Sequence, residues 1–309
     1  MRIMFMGTPE FAMCNLKAIH ENTDNEIVGV VTTPDKPKGR GMVLTPSPVK
    51  AYALENGLDV YQPLTLKDGA FLETLKELQP ELIIVVAYGK ILPSYVLDFP
   101  KYACINAHAS ILPKYRGAAP IQRAIMDGDE KTGVSIMKMD VGLDTGDVML
   151  VEEVLVEEND NFESVHDKLI EASSKGLLKA IDLFRNDQAT FTKQGENFTY
   201  AEKITKADCV IDFSQSVKNV HNKIRGLSPI PVAFTKTPDG KILKVTRAHM
   251  SDEKFAGVNG EVVSLNGGIF VKCQDGTIVL DEVVPEGKGK MIASAYINGR
   301  KIAVGDILK

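Results

Sequence analysis

The feature that most constrains the fold is an uninterrupted apolar run, Leu82–Val86, in which every residue is aliphatic. Such a run is typical of a strand that is buried on both faces, as in parallel sheets covered by helices. The start of the chain agrees, because an apolar segment at Arg2–Met6 is followed by a helical pattern at Glu10–Asn22 and a second apolar segment at Ile27–Thr32. This succession predicts an α/β domain with a mostly parallel sheet.

The last third of the chain has a different pattern. From Lys241 onward, short alternating segments are separated by Gly, Asn and Asp, which is typical of antiparallel strands joined by turns. About five such strands in about 100 residues predict a small, OB-like β-barrel. A polar, irregular segment precedes them. We therefore expect an N-terminal domain at residues 1–188, a linker at 189–206 and a C-terminal barrel at 207–309.

Composition excludes several classes of protein. Hydrophobic residues make up 44% of the 309-residue chain and charged residues 25%, as in soluble globular proteins. No apolar run approaches the roughly 20 residues of a membrane-spanning helix, and the N-terminus lacks the apolar region of a signal peptide. The four cysteines form no Cys-x-x-Cys pair, and the five histidines show no metal-binding spacing. We expect a cytoplasmic protein without disulfides or a bound metal.

Charge is distributed unevenly along the chain. The net charge is −5, which by itself argues against a nucleic-acid partner. Residues 206–309, however, have 15 basic and 11 acidic side chains, a net +4, whereas residues 1–205 have 21 and 30, a net −9. This asymmetry is weak support for a polyanionic partner of the second half.

A constellation of polar residues follows the predicted strand that begins at Ala103. Asn106 and His108 are two residues apart, so their side chains point to the same face of an extended backbone. Asp144 lies between two glycines that could let the backbone turn its carboxylate to the same place. An amide and an imidazole at a strand end can converge on one reacting atom. Pattern alone leaves structural roles open, because His108 could pack or lie on the surface, and the other two could be turn residues.

Two loops beside these residues are candidates for binding a ligand. Ser110–Pro113 is irregular and offers backbone polar groups suited to a flat heterocycle. Tyr88 and Gly89 follow the run Leu82–Val86. Because ligands of open α/β sheets bind beyond the carboxyl ends of the strands, both loops are expected next to Asn106 and His108.

The run His108–Ile121 resembles the signature of the formyltetrahydrofolate-dependent formyltransferases, with Ile111 where leucine is usual. Asn106, His108 and Asp144 fall where that family has its catalytic Asn, His and Asp. The resemblance implies a Rossmann-like N-terminal formyltransferase domain, 10-formyltetrahydrofolate as the formyl donor, and catalysis without a metal.

The resemblance also implies contacts to the folate from the loop after His108, and a role for Arg116 in orienting the substrate. Together with the two residues placed by the sheet, the predicted folate-binding residues are Ser110, Ile111, Leu112, Pro113, Tyr88 and Gly89.

The segment Pro34–Lys50 has four prolines, two glycines and four basic residues against one acid, so we expect no regular element in it. On composition, a solvated loop and a functional loop are equally consistent with it. The full length of the chain, the segment Met6–Phe11 and this basic loop resemble the branch of the family that formylates methionyl-tRNA, in which the matching loop inserts against the acceptor stem. This implies initiator methionyl-tRNA as the partner and Lys36, Lys38 and Arg40 as its contacts.

Two alternatives remain open. Relatives that formylate a small amine, such as an amino sugar or a ribonucleotide amine, share the Asn, His and Asp residues but should not need a basic loop and a basic barrel. A pure RNA-binding module would retain the second domain and would not need Asn106, His108 and Asp144. The expected state is a monomer without membrane association.

Overall fold

The structure is a computed structural model, and it describes residues 1–38 and 41–309. Packing divides these residues into two compact units. The first unit consists of Met1–Gly117, Thr132–Val154 and His166–Tyr200, and the second of Ala118–Lys131, Leu155–Val165 and Ala201–Lys309. The domain boundaries expected at residues 188 and 206 remain a prediction.

Strands and helices alternate over most of the first 185 residues. In chain order they are β1 (Arg2–Gly7), α1 (Glu10–Asn22), β2 (Glu26–Val31), β3 (Lys36–Lys38), β4 (Val43–Thr45), α2 (Pro48–Glu55), β5 (Val60–Tyr61), α3 (Phe71–Leu78), β6 (Leu82–Val86), α4 (Ser94–Leu97), β7 (Ala103–His108), β8 (Arg116–Gly117), α5 (Pro120–Asp127), β9 (Lys131–Lys138), β10 (Val148–Leu155) and α6 (Phe162–Arg185).

A seven-stranded sheet with the order β10-β9-β7-β6-β1-β2-β5 forms the centre of the first unit. The strands from β7 to β5 in this order run parallel to one another, and β9 is antiparallel to β7. The predicted α/β fold with a mostly parallel sheet is therefore confirmed. The carboxyl ends of β6 and β7 lie side by side, because Val85 pairs with Asn106.

The central strands are apolar on both faces, as the run at β6 predicted, and all five residues of β6 are buried. Full burial of one aliphatic or aromatic side chain stabilises the fold by about 1.5–3 kcal/mol. Gly7 lets α1 approach β1 and β6 closely, because a Cβ atom there would lie 2.6 Å from the Ala12 Cβ and 2.9 Å from the Val86 oxygen. One face of the sheet packs through Met4, Met6, Val31, Ile83, Val85 and Cys104 against Phe71, Leu75 and Val96 of the helices.

The segment at residues 34–50 contains a short hairpin, so the expectation that it has no regular element is wrong. β3 and β4 pair antiparallel, with Lys36 opposite Thr45 and Pro37 opposite Leu44. Pro37 is tolerated because a two-stranded ladder leaves one edge of each strand open, and a residue without an N–H can face that edge. The helix α2 then begins at Pro48 with Ser47 as its N-cap, whose hydroxyl accepts from the Lys50 N–H.

The remaining elements are mostly antiparallel strands. They are β11 (Tyr200–Ala201), α7 (Val217–Gly226), β12 (Ala233–Lys236), β13 (Ile242–Ser251), β14 (Val262–Ser264), β15 (Ile269–Lys272), β16 (Thr277–Pro285), β17 (Met291–Ile292) and α8 (Ala293–Asn298). None of the helices in the described residues is long and apolar enough to cross a membrane.

The second unit contains a small antiparallel barrel. Its sheet has the order β12-β13-β16-β15-β14, and β17 pairs with β16. The last residues of the chain join its two edges. Lys309 exchanges backbone hydrogen bonds with Lys236 at β12, and the Leu308 N–H donates to the Gly260 carbonyl just before β14. The predicted small barrel is thus confirmed. Its core includes Leu243, Val245, Val262, Ile269, Val271, Ile278, Leu280 and Val283.

Candidate active site

Asn106 and His108 lie at the carboxyl end of β7, where the sheet changes from parallel to antiparallel. In the register with β9, Asn106 is opposite Met137 and His108 is opposite Ser135. His108 is buried and Asn106 is half-buried. Among the described residues, none accepts a hydrogen bond from the Asn106 side-chain amide. The strand therefore holds both side chains on one face, with the amide still able to donate to a ligand.

The hydrogen bonds of His108 assign its tautomer. Nε2 lies 2.9 Å from the Tyr115 carbonyl oxygen, which can only accept, so Nε2 carries a proton and donates it. Nδ1 faces the Asp144 carboxylate, with 3.6 Å between Nδ1 and Oδ2. In a neutral imidazole with the proton on Nε2, Nδ1 has a lone pair. Nδ1 and Asp144 Oδ2 are then two hydrogen-bond acceptors that face each other. The unprotonated Nδ1 is therefore the ring nitrogen that can accept a proton from a ligand.

Asp144 reaches this position through an unusual backbone conformation of its own. Its φ angle is +53°, in the left-handed region, which Asp and Asn adopt more readily than most residues. The carboxylate Oδ2 accepts a hydrogen bond of 2.9 Å from the Gly117 N–H. A Cβ atom at Gly146 would collide with the Lys138 carbonyl, so this glycine provides a close approach to the end of β9. The flanking glycines were expected to let the backbone turn at this place. The left-handed conformation is instead adopted by Asp144 itself.

Gln194 is a residue of this site that the sequence did not indicate. Its Nε2 donates to the carbonyl oxygens of Asp144, at 2.8 Å, and Gly146, at 2.7 Å. Its Oε1 accepts from Arg116 Nε at 3.1 Å and Arg116 Nη2 at 2.8 Å. Gln194 is about 50 residues from the loop that it holds and lies in a segment that has the composition of a linker, so no local pattern marks it.

Arg116, which was expected to orient the substrate, is itself buried. Besides its bonds to Gln194, its guanidinium lies 4.7 Å from the ring centroid of Phe198. Its backbone N–H donates to the Thr199 carbonyl at 2.9 Å. These contacts make Arg116 a support for Gln194, and its contact with a substrate stays a prediction.

The predicted folate loop is braced against β9. The Ser135 hydroxyl donates to the Ser110 carbonyl at 2.7 Å and accepts from the Leu112 N–H at 3.0 Å. The Ser110 hydroxyl in turn donates to the Lys114 carbonyl at 2.6 Å. Ser110 is fully buried, while Ile111 and Pro113 are half-buried. Ser110 thus fixes the shape of the loop, and the apolar side chains of its neighbours are the part that remains open to a ligand.

Tyr88 and Gly89 follow β6, and their roles differ. The Tyr88 side chain is part of the apolar core, and its hydroxyl has no hydrogen-bond partner among the described residues. Burial raises the pKa of this hydroxyl to about 12, so it stays protonated at neutral pH. Gly89 is exposed, with a φ angle of +81° and open space where a Cβ atom would lie. Gly89 is therefore open to a ligand at the strand end, whereas the Tyr88 side chain belongs to the core.

The structure describes only some of the basic residues that were predicted to contact tRNA. Lys36 is exposed on β3. The predicted contact Arg40 lies outside the described residues, as does the side chain of Lys38. On the second strand of the hairpin, Val43 and Leu44 expose about two thirds of their side chains. Within the part of the chain that the structure describes, no three His, Cys, Asp or Glu residues are grouped as metal ligands.

Comparison with known proteins covers nearly the whole chain. The family model described as "Formyl transferase" matches residues 1–181, and that described as "Formyl transferase, C-terminal domain" matches residues 203–301. A methionyl-tRNA formyltransferase of Clostridium novyi (strain NT) is 47% identical over 312 residues, with 100% of both chains covered. One of Clostridioides difficile (strain 630) is 44% identical over 311 residues, again with 100% of both chains covered.

Solved structures share the fold at low sequence identity. The N-formyltransferase from Helicobacter canadensis, in complex with folinic acid and dTDP-3-aminofucose, has a TM-score of 0.69 at 19% identity, covering 90% of this chain and 98% of that one. The methionyl-tRNA formyltransferase from Clostridium thermocellum has a TM-score of 0.55 at 21% identity, covering 82% and 95%. HypX from Aquifex aeolicus, in complex with tetrahydrofolic acid, has a TM-score of 0.64 at 20% identity, covering 97% and 47%.

Proposed function

The chain belongs to the formyl transferase family, and we propose that it transfers the formyl group of 10-formyltetrahydrofolate to the α-amino group of initiator methionyl-tRNA, for translation initiation. The observation that carries the chemistry is the position of Asn106, His108 and Asp144 around one strand end. The choice of an aminoacyl-tRNA over other amines is supported by relatives that match the chain from end to end.

The nucleophile needs little activation. An α-amino group has a pKa of roughly 7.7–8.0, so a substantial fraction is unprotonated at neutral pH. In the transfer, the amine attacks the formyl carbon, a new C–N bond forms, the bond from that carbon to the folate nitrogen breaks, and one proton moves from the amine to the folate nitrogen. The enzyme therefore has to stabilise one oxyanion and relocate one proton.

Asn106 is the proposed oxyanion donor. Its amide lies on the same strand face as His108, and no described residue accepts a hydrogen bond from it. Amide N–H groups aimed at a developing oxyanion contribute on the order of 3 kcal/mol to transition-state stabilisation.

His108 and Asp144 are the proposed proton carriers. Because Nε2 already donates to the Tyr115 carbonyl, Nδ1 is the nitrogen that exchanges a proton, and it faces Asp144 Oδ2. The proton lost by the attacking amine can be held between Nδ1 and the carboxylate and then delivered to the leaving nitrogen. This order keeps the fixed hydrogen bond at Nε2 unchanged throughout the reaction.

The folate is proposed to bind against the loop that follows β7 and the exposed backbone at Gly89. Ile111 and Pro113 supply apolar contacts to a flat ring, and the internal hydrogen bonds of Ser110 hold the loop in place before the ligand arrives. Leu112 and Tyr88 are buried, so they are proposed to support the folate site from within the core.

The tRNA is proposed to contact the segment at residues 34–50 through Lys36, Lys38 and Arg40, and the barrel through its excess of basic residues. Residues 206–309 have a net charge of +4, against −9 for the rest of the chain. Lys and Arg that neutralise phosphates release counterions, and this term dominates affinity for nucleic acids. The protein is proposed to act as a monomer in the cytoplasm.

The proposed function is tested by measuring formyl transfer from 10-formyltetrahydrofolate to three acceptors: charged initiator tRNA, an amino sugar nucleotide and a ribonucleotide amine. We expect turnover with methionyl-tRNA that exceeds the other two by orders of magnitude. Preferred transfer to a small amine would replace the substrate assignment, and tRNA binding without transfer to any acceptor would reduce the chain to an RNA-binding module.

A further inference from the structure

Two aromatic side chains are left exposed next to the active site. The chain has 12 Phe and 8 Tyr, all of them described. Of these, Phe198 and Tyr200 are the exposed ones, at 45% and 56%, and the others are buried or half-buried. Leaving large apolar rings in water is unfavourable. Two adjacent exposed rings offer flat apolar faces on which a planar ligand can stack.

The two rings are fixed in position by the residue between them. The Thr199 hydroxyl accepts a hydrogen bond of 2.9 Å from the Tyr115 N–H, and the Thr199 carbonyl accepts one of 2.9 Å from the Arg116 N–H. These two hydrogen bonds hold the backbone between the rings against residues 115 and 116. Their ring centroids are 5.5 Å apart, and the ring planes are inclined at 72°.

One side of the Phe198 ring is already occupied. The Arg116 guanidinium lies 4.7 Å from its centroid, within the range of a cation–π interaction. This contact holds the ring in place and leaves nearly half of the side chain open for a second flat partner.

A continuous chain of contacts connects these rings to the catalytic residues. Arg116 donates to Gln194 Oε1, and Gln194 Nε2 donates to the Asp144 carbonyl. Asp144 in turn faces His108. A ligand stacked on Phe198 is therefore only a few side chains away from the proposed proton carriers.

We propose that Phe198 and Tyr200 form a stacking platform for the unpaired 3′-terminal base of the aminoacyl-tRNA, an inference that rests on the proposed function. The amine to be formylated is separated from that base by only the aminoacyl ester and one ribose. The base must therefore lie close to His108 and Asp144 when the amine does. Base–aromatic stacking needs no base-specific hydrogen bond, so a single platform serves the common end of any charged tRNA.

The folate is the other flat molecule in this reaction, but the observations favour the base. The loop and strand end proposed for folate, at residues 110–113 and Gly89, follow β7 and β6. The platform instead belongs to the segment at residues 194–200, whose end is hydrogen-bonded to residues 115–117. Two flat ligands have to be held at once, and the platform gives the second one a place of its own.

The absence of tryptophan from the chain makes a direct test possible. In the Phe198→Trp variant, the only indole reports on the platform. The probes are an RNA minihelix that ends in the acceptor single strand, the same minihelix without its 3′-terminal adenosine, and 5-formyltetrahydrofolate. The control is Leu54→Trp, at an exposed residue on α2 that has no assigned role.

We expect the complete minihelix to quench the Phe198→Trp fluorescence and the shortened minihelix to leave most of it unquenched. In the Leu54→Trp control, neither minihelix should quench the fluorescence. Equal quenching by both minihelices would overturn the proposal. Quenching by the folate but not by RNA would assign the platform to the folate instead and would overturn it as well.

Kinetics give a second, independent readout. Phe198→Leu and Tyr200→Leu keep an apolar side chain and remove the aromatic face. Stacking on one side chain contributes about 1–3 kcal/mol per base, so kcat/KM for methionyl-tRNA should fall roughly 5- to 150-fold in each variant. The KM for the folate should stay within about twofold. An unchanged kcat/KM for methionyl-tRNA in both variants would contradict the platform. If the parent enzyme does not formylate methionyl-tRNA, the proposed function fails, whatever the fluorescence shows.

Discussion

At the scale of single residues, the site depends on which atoms are already engaged. His108 Nε2 is committed to the Tyr115 carbonyl, and Asp144 Oδ2 accepts from Gly117 while it faces Nδ1. The three catalytic candidates could be found in the sequence because a strand fixes Asn106 and His108 on one face, and because their surroundings resemble a known signature. The geometry adds what spacing cannot give, which is the nitrogen that is free to exchange a proton.

Asp144→Asn is the sharpest test of this arrangement. Asparagine also adopts the left-handed conformation, and its side-chain oxygen can still accept from the Gly117 N–H, so the loop should keep its shape. The negative charge opposite Nδ1 is removed. Deleting a positioned proton carrier typically costs 10²- to 10⁴-fold, so we expect kcat to fall by about that factor. Single-turnover formyl transfer and thermal unfolding should be measured together. Near-normal turnover in a folded variant would remove Asp144 from the mechanism.

At the scale of elements, sequence patterns predict some elements to the residue and miss others. The limits of α1 and β6 agree with the pattern of apolar residues. The helix α1 buries one face in the core, and the strand β6 buries both of its faces. No local pattern marks the strand β12, the pair β17 and α8, or the hairpin of β3 and β4. Each is short, and β12 pairs not only with the neighbouring β13 but also with Lys309, the last residue of the chain. Gln194 was missed for the same reason, because its partners are distant in sequence.

Gln194→Glu tests whether the loop around Asp144 is held for catalysis. Glutamate keeps an oxygen for Arg116 but lacks the N–H groups that bind the Asp144 and Gly146 carbonyls. Each hydrogen bond is worth about 0.5–1.5 kcal/mol, and carboxylate–carbonyl repulsion adds to this, so kcat should fall about tenfold or more. Gln194→Ala should behave similarly, whereas the KM for the folate should hardly change. A merely structural role would lower the melting temperature and leave kcat intact.

The segment before α7 allows a pH test on the second unit. Hydrogen bonds from the Thr205 hydroxyl and N–H, at 2.6 and 2.8 Å, together with Arg123 at 3.1 Å, lower the pKa of Asp208 to about 2. The folded pKa lies below the unfolded one, so this stabilisation is complete above about pH 5 and is lost as pH falls from about 4 to 2.

In Asp208→Asn, stability at neutral pH should be lower by up to about 2 kcal/mol, because one pKa unit corresponds to about 1.4 kcal/mol and solvent screens part of the interaction. The difference between parent and variant should shrink towards zero near pH 2. Denaturant unfolding at several pH values, followed by circular dichroism, measures it. A difference that is independent of pH would mean that the carboxylate charge contributes nothing and that packing alone is responsible.

At the scale of the whole molecule, residues 206–309 have a net charge of +4 and residues 1–205 a net charge of −9, so the role of the basic C-terminal residues needs a direct test. Removing residues 206–309 is a poor way to test their role, because α5 and residues 155–165 belong to the same compact unit and would lose their core. Surface substitutions avoid this problem. Lys244 and Arg247 are exposed on β13, so their side chains can be shortened without disturbing the interior of the barrel.

If one tRNA binds through both the hairpin and the barrel, their contributions to its salt dependence should add. Removing one cation that binds a phosphate should flatten the slope of log K against log salt by about 0.7–0.9. We compare the parent with Lys36→Ala/Lys38→Ala/Arg40→Ala, with Lys244→Ala/Arg247→Ala, and with the combination. Arg247 lies 3.5 Å from Glu282, so its removal should flatten the slope less than the removal of a cation without an acidic neighbour.

Folate affinity, measured in parallel, should stay constant. A combined variant with no flatter slope than the hairpin variant would show that the barrel does not touch phosphate, and weaker folate binding would mean that the hairpin shapes the folate pocket.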